Sequence, residues 1–227
     1  MMFTIRSGSM TAVIDSVGAQ LMSLQSVDGT QYLWQGDPKY WPDRSLTIFP
    51  YVARLTEGCY RYRGELYHMP IHGFAPTAEF SVAEQTDAAI TFVLESCPAF
   101  YEQYPFLFRY SIRYRLENAT LHVEITVENK DEKAMHFGLG GHPGINVPLE
   151  EGLRFEDYVL EVPPCLPRRV EFTPACLITG RELPFPMECN QLPLSHHMFD
   201  EDAIVLKGIP GEVTLKSSKG HRGVTLM

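Results

Sequence analysis

Apolar and polar residues alternate along much of this chain. Phe108, Tyr110, Ile112, Tyr114 and Leu116 are apolar or aromatic, with Arg109, Ser111, Arg113 and Arg115 between them. A second run repeats the pattern, Leu121, Val123, Ile125 and Val127 alternating with His122, Glu124, Thr126 and Glu128. A period of two sends each class of side chain to its own face of an extended strand. The short link Glu117-Asn118-Ala119 predicts an antiparallel hairpin. Its basic outer face on one strand lies beside the acidic outer face of the other. Such cross-strand pairs contribute only roughly 0.2–1 kcal/mol each, but they help to set register.

Further strands are predicted at Ala12–Ile14, Gln20–Leu24, Tyr60–Tyr62, Leu66–Met69, Glu79–Val82, Ile90–Leu94, Met135–Leu139, Tyr158–Glu161, Ala203–Leu206 and Val213–Lys216. Turn pairs punctuate them: Asp28-Gly29, Arg63-Gly64, Pro210-Gly211 and Lys219-Gly220. No window of a dozen residues carries a helical period. The pattern predicts an all-β, mostly antiparallel sandwich with few or no long helices. No repeat or flexible linker interrupts it, so residues 1–227 are expected to form a single domain. The Pro-rich stretch Pro163–Pro186 is expected to be an ordered but irregular surface excursion.

Composition narrows the function classes. A chain of 227 residues can bury a core without disulfides or metals. Nineteen basic residues against 28 acidic ones give a net charge of −9, the wrong sign for a binder of nucleic-acid backbone. The N-terminus lacks the pattern of a signal peptide, and no apolar run approaches the roughly 20 residues of a membrane span. Cys59, Cys97, Cys165, Cys176 and Cys189 are odd in number and show no CxxC spacing. They are expected to be free thiols in a reducing cytoplasm. Neither nucleic acid nor membrane is therefore an expected partner. Oligomeric state is not specified.

Three stretches could carry chemistry. In His136-Phe137-Gly138-Leu139-Gly140-Gly141-His142-Pro143-Gly144, an extended chain would align His136, Gly138, Gly140 and His142 on one face. Two of those four positions lack a side chain. That fits a hollow for a ring-shaped ligand with a histidine at its rim, or a β-bulge beside a structural histidine. In Phe49-Pro50-Tyr51-Val52-Ala53-Arg54-Leu55, Arg54 has an apolar sequence setting. If buried, it needs a carboxylate or a polar ligand. His72, before Gly73, is either a satisfied structural histidine or a functional one. The third stretch, Leu192 to Val205, sets Asp200, Glu201 and Asp202 before an apolar run. It offers a carboxylate for hydroxyl groups, or a solvated acidic turn. His196-His197 give no paired metal site, because adjacent residues of a strand face opposite ways. Nothing matches HExxH, CxxC, GxSxG or a phosphate-binding loop.

Together these stretches resemble the aldose 1-epimerase (galactose mutarotase) family, especially its LacX-like and YeaD-like branch. The resemblance rests on Ile14 to Leu21, Tyr32 to Pro38 with Tyr40-Trp41, Phe49 to Leu55, His72-Gly73-Phe74-Ala75, Tyr104-Pro105-Phe106, Asn129, Gly141-His142-Pro143 and Leu192 to Asp202, in that order. It implies a galactose-mutarotase-like β-sandwich (supersandwich) that binds a hexose or hexose phosphate and interconverts its α and β anomers by acid/base ring opening. By position, His142 is the implied acid. His72 and Arg54 would hold hydroxyl and ring oxygens, and Asp202 would accept sugar hydroxyls, with Asp200 as the fallback. No metal or organic cofactor is implied. Two departures stand out. Pro76 occupies a position where the family often has arginine, and no residue here maps onto the family's C-terminal glutamate base. Against the resemblance, the chain is expected to be C-terminally incomplete or to have lost its base. A non-catalytic carbohydrate-binding protein of the same fold is the alternative.

Overall fold

A computed structural model describes residues 1–200 and 203–227, and the chain falls into two compact units, Met1–Ile145 and Asn146–Met227. The first unit carries β1 (Met2–Ser7), β2 (Met10–Asp15), β3 (Leu21–Ser26), β4 (Ser45–Ile48), β5 (Cys59–Tyr62), β6 (Glu65–His68), β7 (Ser81–Gln85), β8 (Ala89–Glu95), β9 (Phe108–Glu117), β10 (Thr120–Asn129) and β11 (Gly140–Pro143). A single α-helical turn, α1, covers Pro98–Tyr101. The strands form a three-stranded sheet β1-β2-β3, a four-stranded sheet β10-β9-β8-β7, and the pairs β11-β4 and β5-β6. All these pairings are antiparallel.

The two larger sheets of this unit share one core. Ile5, Ala12 and Ile14 from the first meet Ile90, Phe92, Phe108, Tyr110 and Ile112 from the second. The inward alternation of β9 explains this packing, because every even-numbered residue from Phe108 to Leu116 is buried. Burial of each large apolar side chain contributes about 1.5–3 kcal/mol. The β9–β10 hairpin forms where the alternation predicts it, turning through Asn118 at φ +54°. Its register sets Arg109 opposite Glu128 and Arg113 opposite Glu124. Arg109 lies 3.8 Å from the Glu128 carboxylate, an exposed pair that helps register more than stability.

The second unit carries β12 (Tyr158–Glu161), β13 (Arg168–Phe172), β14 (Ile178–Pro184), β15 (Gln191–Pro193), β16 (Leu206–Lys207), β17 (Val213–Ser217) and β18 (Gly223–Leu226). They form two antiparallel sheets, β15-β12-β17-β18 and β14-β13-β16.

Three sequence expectations need correction. Pro163–Pro186 is not irregular throughout, since it contains the β13–β14 hairpin. Its prolines flank the strands, apart from Pro184 at the last position of β14, and the turn closes through Cys176 at φ +56°. Met135–Leu139 is not a strand; β11 begins only at Gly140. The strand expected at Ala203–Leu206 is confined to Leu206–Lys207.

Candidate functional site

The site grows from a close approach of two backbone segments in the first unit. Phe49 and Gly73 form an isolated bridge, with the Phe49 N–H donating to the His72 carbonyl at 3.3 Å. A β-carbon at Gly73 would stand 2.2 Å from the Phe49 carbonyl oxygen, and its φ is +78°. Glycine meets both demands at once. Phe49 is fully buried and stacks on Tyr110 with centroids 4.5 Å apart. Phe74, Tyr104 and Phe108 pack edge-on around it. An aromatic floor thus fixes the chain on which the next residues stand.

Four residues after Phe49, the chain meets His72. The His72 N–H donates to the Ala53 carbonyl at 2.9 Å, and the Ala53 N–H donates to His72 Nδ1 at 3.2 Å. Both residues are left-handed, at φ +67° and +66°. Two non-glycine residues held in that region mark a locally imposed geometry of the kind that gathers at functional sites. Because Nδ1 accepts, the neutral ring carries its proton on Nε2. Burial pushes the His72 pKa below its ordinary 6.5, and the neighbouring His142 adds to that shift. Both effects favour the neutral ring, whose Nε2–H is a donor.

His142 reaches the same place from β11, where it pairs with Leu46 of β4. Its ring centroid lies 5.6 Å from that of His72 and 4.9 Å from that of Trp41. The His142 side chain is exposed. A β-carbon at Gly140, two residues earlier, would meet nothing within 4 Å, so the space beside this strand is open. The arrangement offers a fixed donor and a solvent-accessible imidazole side by side. That pair can bind an oxygen-rich ligand and exchange a proton with it.

The two histidines singled out from the sequence thus come together. Arg54 follows Ala53 directly, but it is exposed rather than buried. Its apolar sequence neighbours Tyr51 and Val52 are exposed as well, so the segment buries none of the three. Asp202 lies outside the described residues. Asp200 sits in the second unit, exposed, with its carboxylate 3.3 Å from His197 Nδ1. Arg44 is tied to the Met22 carbonyl at 2.8 Å. His136 is exposed outside β11, so the row of four even-numbered residues is not one strand. Trp41 was not singled out for a role, although its ring is the nearer neighbour of His142. No local signal in the sequence pairs residues 41 and 142.

A cavity of about 540 Å³ also opens in the first unit, walled by Val52, Leu55, Tyr60, Tyr62, Phe106 and Phe137 among others. Its walls include neither His72 nor His142 and are mainly apolar. A polyhydroxylated ligand needs polar partners, so the histidine pair is the better candidate.

The family profile described as aldose 1-epimerase matches residues 1–206. The plasmid-borne protein LacX of Lactococcus lactis subsp. lactis is 31% identical over 237 residues, covering 99% of this chain and 78% of that one. A crystal structure of a galactose mutarotase related enzyme from Lactobacillus acidophilus superimposes with a TM-score of 0.93 at 31% identity, covering 99% of this chain and 76% of that one. A galactose mutarotase-like protein from Lactobacillus casei ATCC 334 gives 0.92 at 32% identity, covering 99% and 78%. These matches agree with the antiparallel β architecture described above.

Proposed function

The chain belongs to the aldose 1-epimerase family, and from that premise we propose that it is a cytoplasmic isomerase interconverting the α and β anomers of a hexose or hexose phosphate. The observation that supports this reading is the His72–His142 pair, with centroids 5.6 Å apart and His72 held by Ala53. His142 acts as the acid that protonates the ring oxygen, a role suited to an imidazole, whose ordinary pKa is near neutral. The C1 hydroxyl releases its proton to solvent water as the bond from C1 to the ring oxygen breaks, and the reverse transfers accompany reclosure. Rotation about C1–C2 and reclosure on the other face give the second anomer. His72 donates from Nε2 to a sugar oxygen and so holds the ring where His142 can reach it. Arg54, exposed on the segment that follows Ala53, offers further donors to sugar oxygens. The second reading is a carbohydrate-binding protein of the same fold without turnover, in which the histidine pair holds the sugar and exchanges no proton with it.

Polarimetry on freshly dissolved α-glucose, α-galactose and hexose 6-phosphates tests the reading. Accelerated mutarotation that disappears in His142→Asn is the expected result. Sugar binding by calorimetry without acceleration selects the second reading. Neither binding nor acceleration with any of these sugars overturns both.

A further inference from the structure

His142 stands on a strand that does little to restrain its ring. Gly140 and Gly141 precede it, and neither offers a side chain. Among the described residues no hydrogen bond holds the His142 imidazole. An exposed side chain so placed would normally share its time among several rotamers, and fixing it costs conformational entropy. A proton donor, in contrast, needs one orientation.

Trp41 supplies a restraint. Its ring centroid lies 4.9 Å from that of His142, with the two planes at 53°. Trp41 is itself anchored at several points. Its N–H donates to the Asp37 carbonyl at 2.9 Å, and its carbonyl accepts from the Trp34 indole at 2.8 Å. The Trp34 N–H donates to the Gly144 carbonyl at 2.9 Å, and the Gly144 N–H donates to the Arg44 carbonyl at 2.7 Å. A β-carbon at Gly144 would come within 2.8 Å of both Trp34 and Trp41. Glycine there lets the chain just after β11 run directly against the two indoles. The tryptophan is thus tied to the strand that carries His142, although about 100 residues separate them in sequence.

We propose that Trp41 is a positioning residue whose indole holds the His142 imidazole in the orientation from which it delivers its proton. This rests on the reading of His142 as the acid. Trp41 acts through His142 and not through the sugar, which separates it from an aromatic platform for the ligand.

The test uses the full chain, labelled with ¹³C at histidine, with His142 resonances assigned through His142→Asn. The Trp41 ring current displaces the His142 ring protons in the unsubstituted protein. Trp41→Leu is expected to abolish that displacement, and Trp41→Phe to keep much of it. The mutarotation kcat is expected to fall about tenfold in Trp41→Leu with KM little changed, and to recover in Trp41→Phe. Thermal unfolding establishes that each variant is folded, and Trp41→Met replaces Trp41→Leu if the latter is not. Unchanged His142 resonances in a folded variant overturn the proposal. So does a rise in KM at constant kcat, which would make Trp41 a sugar platform. If no sugar is turned over by the unsubstituted protein while the resonances still move, the ring restraint stands and the acid role of His142 falls.

Discussion

The Ala53 N–H donates to His72 Nδ1 at 3.2 Å, and the Ala53 carbonyl accepts the His72 N–H in return at 2.9 Å. This reciprocal clasp decides which nitrogen of His72 is available to a ligand, and it does so before any ligand arrives.

The clasp has a pH signature. The folded protein favours neutral His72, whereas the unfolded chain takes up a proton near 6.5. The unfolded state therefore binds more protons in the window at and just below 6.5. His72 then contributes a stability that rises with pH through that window and is lost on acidification. Histidine NMR should show an Nε2–H tautomer and a His72 midpoint below 6.5. An Nδ1–H signal, or a midpoint above 6.5, would contradict the assignment.

Gly73→Ala tests the close approach beneath the site. The new β-carbon would stand 2.2 Å from the Phe49 carbonyl oxygen on a residue at φ +78°. A loss of about 2 kcal/mol or more in urea unfolding is expected, because backbone must move to relieve both the clash and the left-handed strain. Any sugar affinity should fall with it, since His72 is the preceding residue. Stability within the error of the unsubstituted protein would mean that this contact is looser than described.

Tyr110→Phe should behave in the opposite way. The Tyr110 hydroxyl is buried and finds no hydrogen-bond partner among the described residues, and burial drives its pKa up. Removing an unsatisfied hydroxyl while keeping the ring on Phe49 is expected to be neutral or to stabilise by about 1 kcal/mol. Denaturant midpoints of the two proteins decide this, and a clear loss of stability would point to a partner for the hydroxyl.

In the second unit, Glu150 accepts from the backbone N–H groups of His221 at 2.8 Å and Arg222 at 3.0 Å. These bonds, chiefly that from Arg222, lower the carboxyl pKa below 4.5. A depressed carboxylate stabilises the fold above its unfolded pKa, and that contribution is lost as pH falls through the folded value. Glu150→Gln should lower stability at pH 7 and reduce the loss between pH 5 and pH 3. Parallel pH–stability curves for the two proteins would remove Glu150 from this role.

Much of this was legible from the chain alone, for physical reasons that differ by element. The β9–β10 hairpin was legible because a period of two is a local signal and the buried face enforces it. His72 and His142 were legible through the motifs around them, though not their 5.6 Å proximity. Arg54 misled because its apolar sequence neighbours Tyr51 and Val52 are themselves exposed, and apolar composition alone does not bury a segment. The β13–β14 hairpin was hidden by prolines that flank or terminate its strands rather than interrupt them. The Trp41–His142 contact joins segments about 100 residues apart and carries no local pattern. Met135–Leu139 has strand-like composition, but composition does not supply a partner strand.

The aromatic floor has a consequence for redesign. Phe49, Tyr110, Phe74 and Phe108 all belong to the buried core beneath the histidine pair, so truncating any of these rings disturbs the fold and the support of the site together. Exposed positions such as Arg54, and the open space beside Gly140, bear no such double duty. Libraries aimed at a new sugar preference should therefore vary these positions and leave the floor untouched. Selection can then act on recognition without first having to restore a folded protein.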